Sequence, residues 1–122
     1  MTQALLRPTV VILTKDMPLA RSLLVTLSDI EVECEATFDN PRHVLLHTTN
    51  RALDACLVTP SHFARDELRE IVPRMQNAGT KVIAILRHRP QNERDVEPFS
   101  RWILASNDMY EDLERVLGTH NI

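Results

Sequence analysis

Apolar residues along this chain gather into short continuous runs that alternate with longer stretches where they recur every three or four positions. Residues 10–13, 55–58, 82–86 and 102–105 are runs of the first kind, the pattern of strands covered on both faces of a parallel sheet. The first strand spans residues 8–14. Asp16 then caps a helix with Pro18 in its first turn and Ala20, Leu23, Leu24 and Leu27 on one face. Residues 31–37 alternate Val32, Cys34 and Ala36 against Glu31, Glu33 and Glu35, the period-two signature of a strand with one wet face, placed near a sheet edge. Asp39, Asn40 and Pro41 break the chain there, and a short helix carrying Val44, Leu45 and Leu46 follows before Asn50.

The second half repeats the alternation. Residues 53–58 form a third strand, stopped by Thr59 and Pro60. Phe63, Leu68, Ile71, Val72 and Met75 trace a helical stripe ending at Gly79, with Pro73 expected to kink or divide it. Residues 81–86 are the most apolar strand and belong in the middle of the sheet. Residues 90–98 hold two prolines, four charges and a single valine, so a fourth helix there is short and marginal. The fifth strand is placed at 102–105, and Asp108 with Glu111 makes a capping pair for a last helix burying Met109, Leu113, Val116 and Leu117. Five β-α units in this order predict an α/β, flavodoxin-like (βα)5 fold. Its five-stranded parallel sheet would have order 2-1-3-4-5, right-handed crossovers and helices on both faces.

The 122 residues suit one domain, residues 1–122, with a single core. Hydrophobic residues make up 43% and charged residues 25%, and the formal net charge is −3, so no global basic field argues for nucleic acid. No run approaches the roughly 18 apolar residues of a membrane span, and no signal peptide opens the chain, which makes the cytoplasm the expected compartment. Cys34 and Cys56 fall in different strands with no metal-ligand spacing, the pattern of buried reduced thiols. With two glycines in the chain, no glycine-rich phosphate loop follows any strand, which disfavours a nucleotide binder or a small flavodoxin-like enzyme.

In an open parallel sheet, ligands bind outside the carboxyl ends of the strands. Here those ends carry Thr14, Lys15, Thr59, Leu86, Arg87 and Ser106, and Asp16 is the one carboxylate placed at the rim. The stretch Ile12-Leu13-Thr14-Lys15-Asp16-Met17-Pro18-Leu19-Ala20-Arg21 resembles the opening of a response-regulator receiver domain of the CheY-like superfamily, where a strand ends in a pair of acids followed by an acid and Pro. The resemblance extends through Leu53-Asp54-Ala55-Cys56-Leu57-Val58-Thr59, Gly79-Thr80-Lys81-Val82-Ile83-Ala84-Ile85-Leu86 and Trp102-Ile103-Leu104-Ala105. It implies a magnesium-binding acid pair at Lys15 and Asp16, a phosphoacceptor at Thr59, a hydroxyl residue at Leu86 and a lysine at Ala105. Only Asp16 matches, so the resemblance points to a degenerate pseudo-receiver with no catalytic residue, metal or cofactor.

Two readings of Lys15 stand: its ammonium replaces the metal beside Asp16, or it is solvated while Thr59 caps the next helix. Thr59 has no general base beside it in the sequence pattern, which makes it a poor nucleophile. Asp54 and Asp39 are the other nearby acids for an unconventional acceptor. By the same resemblance, Trp102 is either a core side chain or the fifth-strand aromatic that moves on activation. The expected contact surface is the face of the fourth helix, fifth strand and fifth helix, presenting Arg101, Trp102, Tyr110, Glu111 and Glu114 to a protein partner, an output domain or a second copy. His43 and His47 stand four apart but lack a third ligand pattern. His62 and His88 lie near strand ends, where they either face the rim pocket or serve as polar surface, and Arg87, His88, Arg89 and Arg94 form a local basic patch suited to solvation or a protein contact. The domain would act alone or as the N-terminal module of a longer regulator, with no direct nucleic-acid or membrane contact.

Overall fold

A computed structural model describes residues 7–49, 51, 53–106 and 109–117. Five strands, β1 (Thr9–Leu13), β2 (Glu33–Phe38), β3 (Ala55–Val58), β4 (Lys81–Leu86) and β5 (Arg101–Leu104), form one sheet in the order 2-1-3-4-5. Every pairing is parallel. The α-helices among the described residues are α1 (Met17–Asp29), α2 (Pro41–Thr49), α3 (Arg65–Asn77) and α4 (Met109–Leu117).

Period-two alternation along the central strands splits the core into two layers. Val10, Ile12, Ala55, Leu57, Ile83 and Ile85 face Leu23 and Leu27 of α1 and Met109 and Leu113 of α4. Val11, Leu13, Cys56, Val58 and Val82 face the other way, toward Val44 of α2 and Leu68, Ile71, Val72 and Met75 of α3. Both cysteines are free. Burial pushes the Cys56 thiol up to about 12, and the nearby Cys34 adds to the rise. Burial also raises Cys34, against a lowering hydrogen bond to the Ala36 carbonyl.

Several expectations change. The fourth helix is absent: residues 90–98 make a single 3₁₀ turn, Glu93–Val96, because Val96 is its only aliphatic side chain apart from two prolines and no helix can bury a stripe there. Phe99 reaches the α2–α3 layer in its place. The fifth strand starts one residue early, with Arg101 opposite Ile83 and Leu104 opposite Leu86. Pro73 does not divide α3, which runs unbroken from Arg65 to Asn77; Ile71, Val72 and Met75 anchor both sides of the proline in the core. Leu24 is 40% exposed, since the buried arc of α1 passes through Ala20, Leu23 and Leu27. The α2 stripe is Pro41, Val44 and Thr48, with Leu45 half-buried and Leu46 exposed. Asn50 and Asp108 lie outside the described residues.

β2 begins at Glu33 rather than Glu31, and the cause is the way α1 ends. Glu31 takes φ 62°, the Val32 amide donates to the Leu27 carbonyl at 2.8 Å and the Glu31 amide to Ser28 at 3.1 Å. That is a Schellman closure with buried Val32 as its hydrophobic contact. α3 ends identically around Gly79 at φ 98°, with Thr80 donating to Met75 and Gly79 to Gln76, both at 3.0 Å. One closure uses glycine and the other a residue with a Cβ in the left-handed region. Glu31→Gly should therefore raise the urea midpoint by an amount worth about 1 kcal/mol, and Gly79→Ala should lower it by about as much. A Cβ at Gly79 meets nothing within 4 Å, so equal stability of Gly79→Ala and the parent would show that backbone strain is not the governing term.

Candidate functional site

The parallel registers place Thr14, Thr59, Leu86 and Ala105 just past or at the ends of β1, β3, β4 and β5, on one rim. Thr14 is fully buried, and its hydroxyl accepts the Asp16 amide at 3.1 Å. This tight turn presents Asp16 as the N-cap of α1, where Oδ1 accepts the Leu19 amide at 3.0 Å. Its other oxygen, Oδ2, accepts from the Arg87 guanidinium at 2.6 Å. The rim carboxylate is thus held on one oxygen by a helix start and on the other by a cation.

That cation decides between the two readings of Lys15, against its pairing with Asp16. The Lys15 ammonium lies 5.4 Å from the centre of the Phe63 ring, a cation–π contact rather than a partner of Asp16. Arg87 leaves the end of β4 and reaches Asp16 past the end of β3, which lies between β4 and β1 in the sheet, across 71 positions of sequence. In the sequence Arg87 reads only as part of a basic patch.

Thr59 is 4% exposed, and its hydroxyl lies 2.8 Å from the Thr14 hydroxyl and 2.8 Å from His62 Nδ1. It caps the following 3₁₀ turn, Pro60–His62, with no side-chain cap bond. Of the two readings for His62, the rim pocket is where it stands: the turn brings His62 back over the strand end. The Lys15 backbone amide also donates to His62 Nδ1, at 3.3 Å. The three side chains bind the β1 and β3 exits together. Thr59 gains a base but stays enclosed, with Arg87 engaged by Asp16 and Lys15 by Phe63.

Leu86 is half-buried and lines a cleft with Pro60 and Phe63. Ala105 packs against the α1–α4 core, and its amide donates to the Leu86 carbonyl at 2.7 Å. Asp54 lies at the opposite end of the sheet, where Oδ2 accepts the Thr9 amide at 2.7 Å, so it shares no pocket with Thr59. Asp39 is exposed beyond β2 in a shallow cleft with Met17 and His43. His47 is bonded through Nε2 to Glu35 at 2.8 Å, and Arg51 holds the same carboxylate. Glu35 sits at the register shift between β1 and β2, which draws it from the wet face into this cluster.

At the sheet edge, a cleft of about 620 Å³ brings Arg101 and Trp102 together with Arg89, Asp112 and Arg115. The Arg89 guanidinium lies 6.0 Å from the centre of the half-buried Trp102 ring. Arg115 is paired with Asp112. Tyr110 and Glu111 are exposed and Glu114 half-buried on α4, outside the lining of this cleft. The structure therefore joins Arg101 and Trp102 to a more basic set of neighbours than the sequence suggests.

No family model and no curated protein matches the chain. Solved structures do. A response regulator receiver protein from Burkholderia phymatum superposes with a TM-score of 0.71 at 19% identity, covering 93% of this chain and 98% of that one. A CheY-like receiver domain from Methylobacillus flagellatus gives 0.72 at 14%, covering 91% and 96%. The chemotaxis protein CheY4 from Vibrio cholerae gives 0.71 at 11%, covering 94% and 100%. A 3-dehydroquinate dehydratase-like protein from Bifidobacterium longum also matches, at 0.60 and 10% identity, so likeness of architecture does not carry chemistry with it. The chain has the fold of the CheY-like response-regulator receiver domains.

Proposed function

We propose that this chain is a receiver-like signalling module that works without phosphorylation, by binding a protein partner or a second copy of itself. The observation that carries the reading is the state of the rim: both oxygens of Asp16 are taken, one by the start of α1 and one by Arg87. A hard divalent cation needs carboxylate oxygens, and phosphoryl transfer needs positioned charge and metal. Thr59, Leu86 and Ala105 stand where the receiver resemblance implies an acceptor, a hydroxyl and a lysine. The location of Asp54 at the far end of the sheet weighs against an unconventional acceptor there. The two glycines weigh against a nucleotide site.

The contact surface in this reading is the edge around β5. Arg101 and Trp102 supply a cation and an aromatic anchor beside the basic cleft. Tyr110, Glu111 and Glu114 extend the surface along α4. A partner protein, or an output domain joined to this one in a longer regulator, would be read by that surface rather than by nucleic acid or membrane. No helix among the described residues is long and apolar enough to cross a membrane, and a cytoplasmic location goes with the reading.

Three outcomes are expected. Incubation with acetyl phosphate, or with beryllofluoride and Mg²⁺, leaves the intact mass and the Trp102 fluorescence unchanged; a covalent adduct would overturn the reading. Arg87→Ala lowers stability by less than about 1 kcal/mol, because the guanidinium is 67% exposed, while Mg²⁺ affinity measured by calorimetry rises only in that variant and not in Lys15→Ala. A gain confined to Lys15→Ala would show that Lys15 is the charge opposing the metal. Finally, Arg101→Glu with Glu114→Lys weakens self-association in sedimentation velocity, or partner capture if the chain is monomeric, at an unchanged melting temperature. Loss of assembly in Arg21→Glu, with those variants assembling normally, would put the interface on α1.

A further inference from the structure

We propose that the cleft between the start of α3 and the segment leading into β5 is a binding site for a small aromatic carboxylate. The cleft has a volume of about 270 Å³. Its wall is apolar, built from Pro60, Phe63, Leu68, Leu86, Pro98 and Phe99, and Ser61, Arg65 and Glu97 form its polar lip. An apolar hollow with a few polar groups at its edge is the general form of a small-molecule site, and this volume is at the small end of the range, suited to one ring and a short chain. The position agrees with that use, because the cleft lies outside the carboxyl ends of β3 and β4.

The hollow exists because the fourth crossover makes one 3₁₀ turn in place of a helix. Pro98 and Phe99 then stand across from α3 without a helix to close the gap. The wall they make is fixed in place. Gln76 of α3 donates from Nε2 to the Pro98 carbonyl at 2.9 Å and to the Ser100 hydroxyl at 3.2 Å. Ser100 in turn donates its amide to Val82 of β4 at 3.0 Å, and Phe99 packs on the α2–α3 core. A wall anchored at three points needs little ordering when a ligand arrives, which favours binding.

Charge selects the ligand's head group. Arg65 enters no ion pair within 4 Å among the described residues. The Lys15 ammonium lies over Phe63, the ring that lines the cleft. That contact engages Lys15 and leaves Arg65 as the lip cation outside any ion pair, with Glu97 the one acid of the lining, so a carboxylate attached to a ring matches both features. The site is independent of the receiver reading, since it needs neither phosphorylation nor assembly.

The test is an amide NMR titration of the whole chain with 3-phenylpropionate, with 3-phenylpropanol as the uncharged control. Saturable shifts should centre on Ser61, Phe63, Leu86 and Phe99, with a Kd on the order of 1 mM for a ligand of this size. The alcohol should bind about threefold more weakly, as expected for one exposed charge pair. Arg65→Gln should erase that preference, and Ser61→Trp, which places an indole in the mouth, should abolish the shifts. Both positions are exposed, so the variants' spectra away from the cleft report that the fold is kept. Absence of saturable shifts, shifts centred elsewhere, or a preference for the acid that survives Arg65→Gln would overturn the proposal. A null titration alongside unchanged acetyl phosphate results would remove this site and leave the signalling reading standing.

Discussion

Both oxygens of the Asp16 carboxylate are engaged by the protein itself, and the character of the rim follows from that. One oxygen starts α1, and the other holds Arg87 at the exit of β4. The side chain is only 16% exposed, and a carboxylate drawn so far from water must have its hydrogen bonds supplied from within. The same turn makes the Thr14 hydroxyl an acceptor for the Asp16 amide. Thr14 then meets Thr59, and Thr59 meets His62. Asp16 is the first link in a chain of hydrogen bonds tying β1, β3 and β4 together at their exits.

Loss of the fourth helix shapes the other half of the molecule. In a doubly wound sheet each crossover covers part of a face, and a crossover with one aliphatic residue covers little. Phe99 does the covering that a helical stripe would do, and Gln76 ties the segment to α3. Two clefts flank this thin crossover. One opens toward α3 and is mainly apolar; the other opens toward α4 beside Trp102 and is basic. Both sit next to the segment that feeds β5, so any ligand or partner held in either would bear on the same strand.

The two helix ends show how much local chemistry the tertiary structure tolerates. Gly79 meets the left-handed requirement at no steric cost, whereas Glu31 adopts the same geometry with a side chain. Val32, buried immediately afterwards, supplies the compensating contact. Sequence signals therefore located the end of α3 and missed the end of α1. The glycine announces the turn, and a glutamate in an alternating acidic run announces a strand.

Strand order and the placing of helices on both faces of the sheet were legible in the chain itself, because continuous apolar runs and amphipathic stripes are local patterns whose periods differ by secondary structure. Asp16 as a helix cap and the weakness of the fourth crossover were legible for the same reason. What the chain alone left open was which groups meet. Arg87 and Asp16 are 71 residues apart, and Thr59 meets Thr14 across 45, so no spacing rule links them. His62, three residues from Thr59, was left open between the rim pocket and polar surface, since only the 3₁₀ turn after β3 points its ring back to the strand end. Arg87 rather than Lys15 stands beside the Asp16 carboxylate because the Lys15 side chain turns to Phe63 while the exit of β4 carries Arg87 to Asp16. Pattern decides which elements form and which face is buried, but contact between distant side chains is set by register and crossover geometry, which exist only once the sheet is assembled.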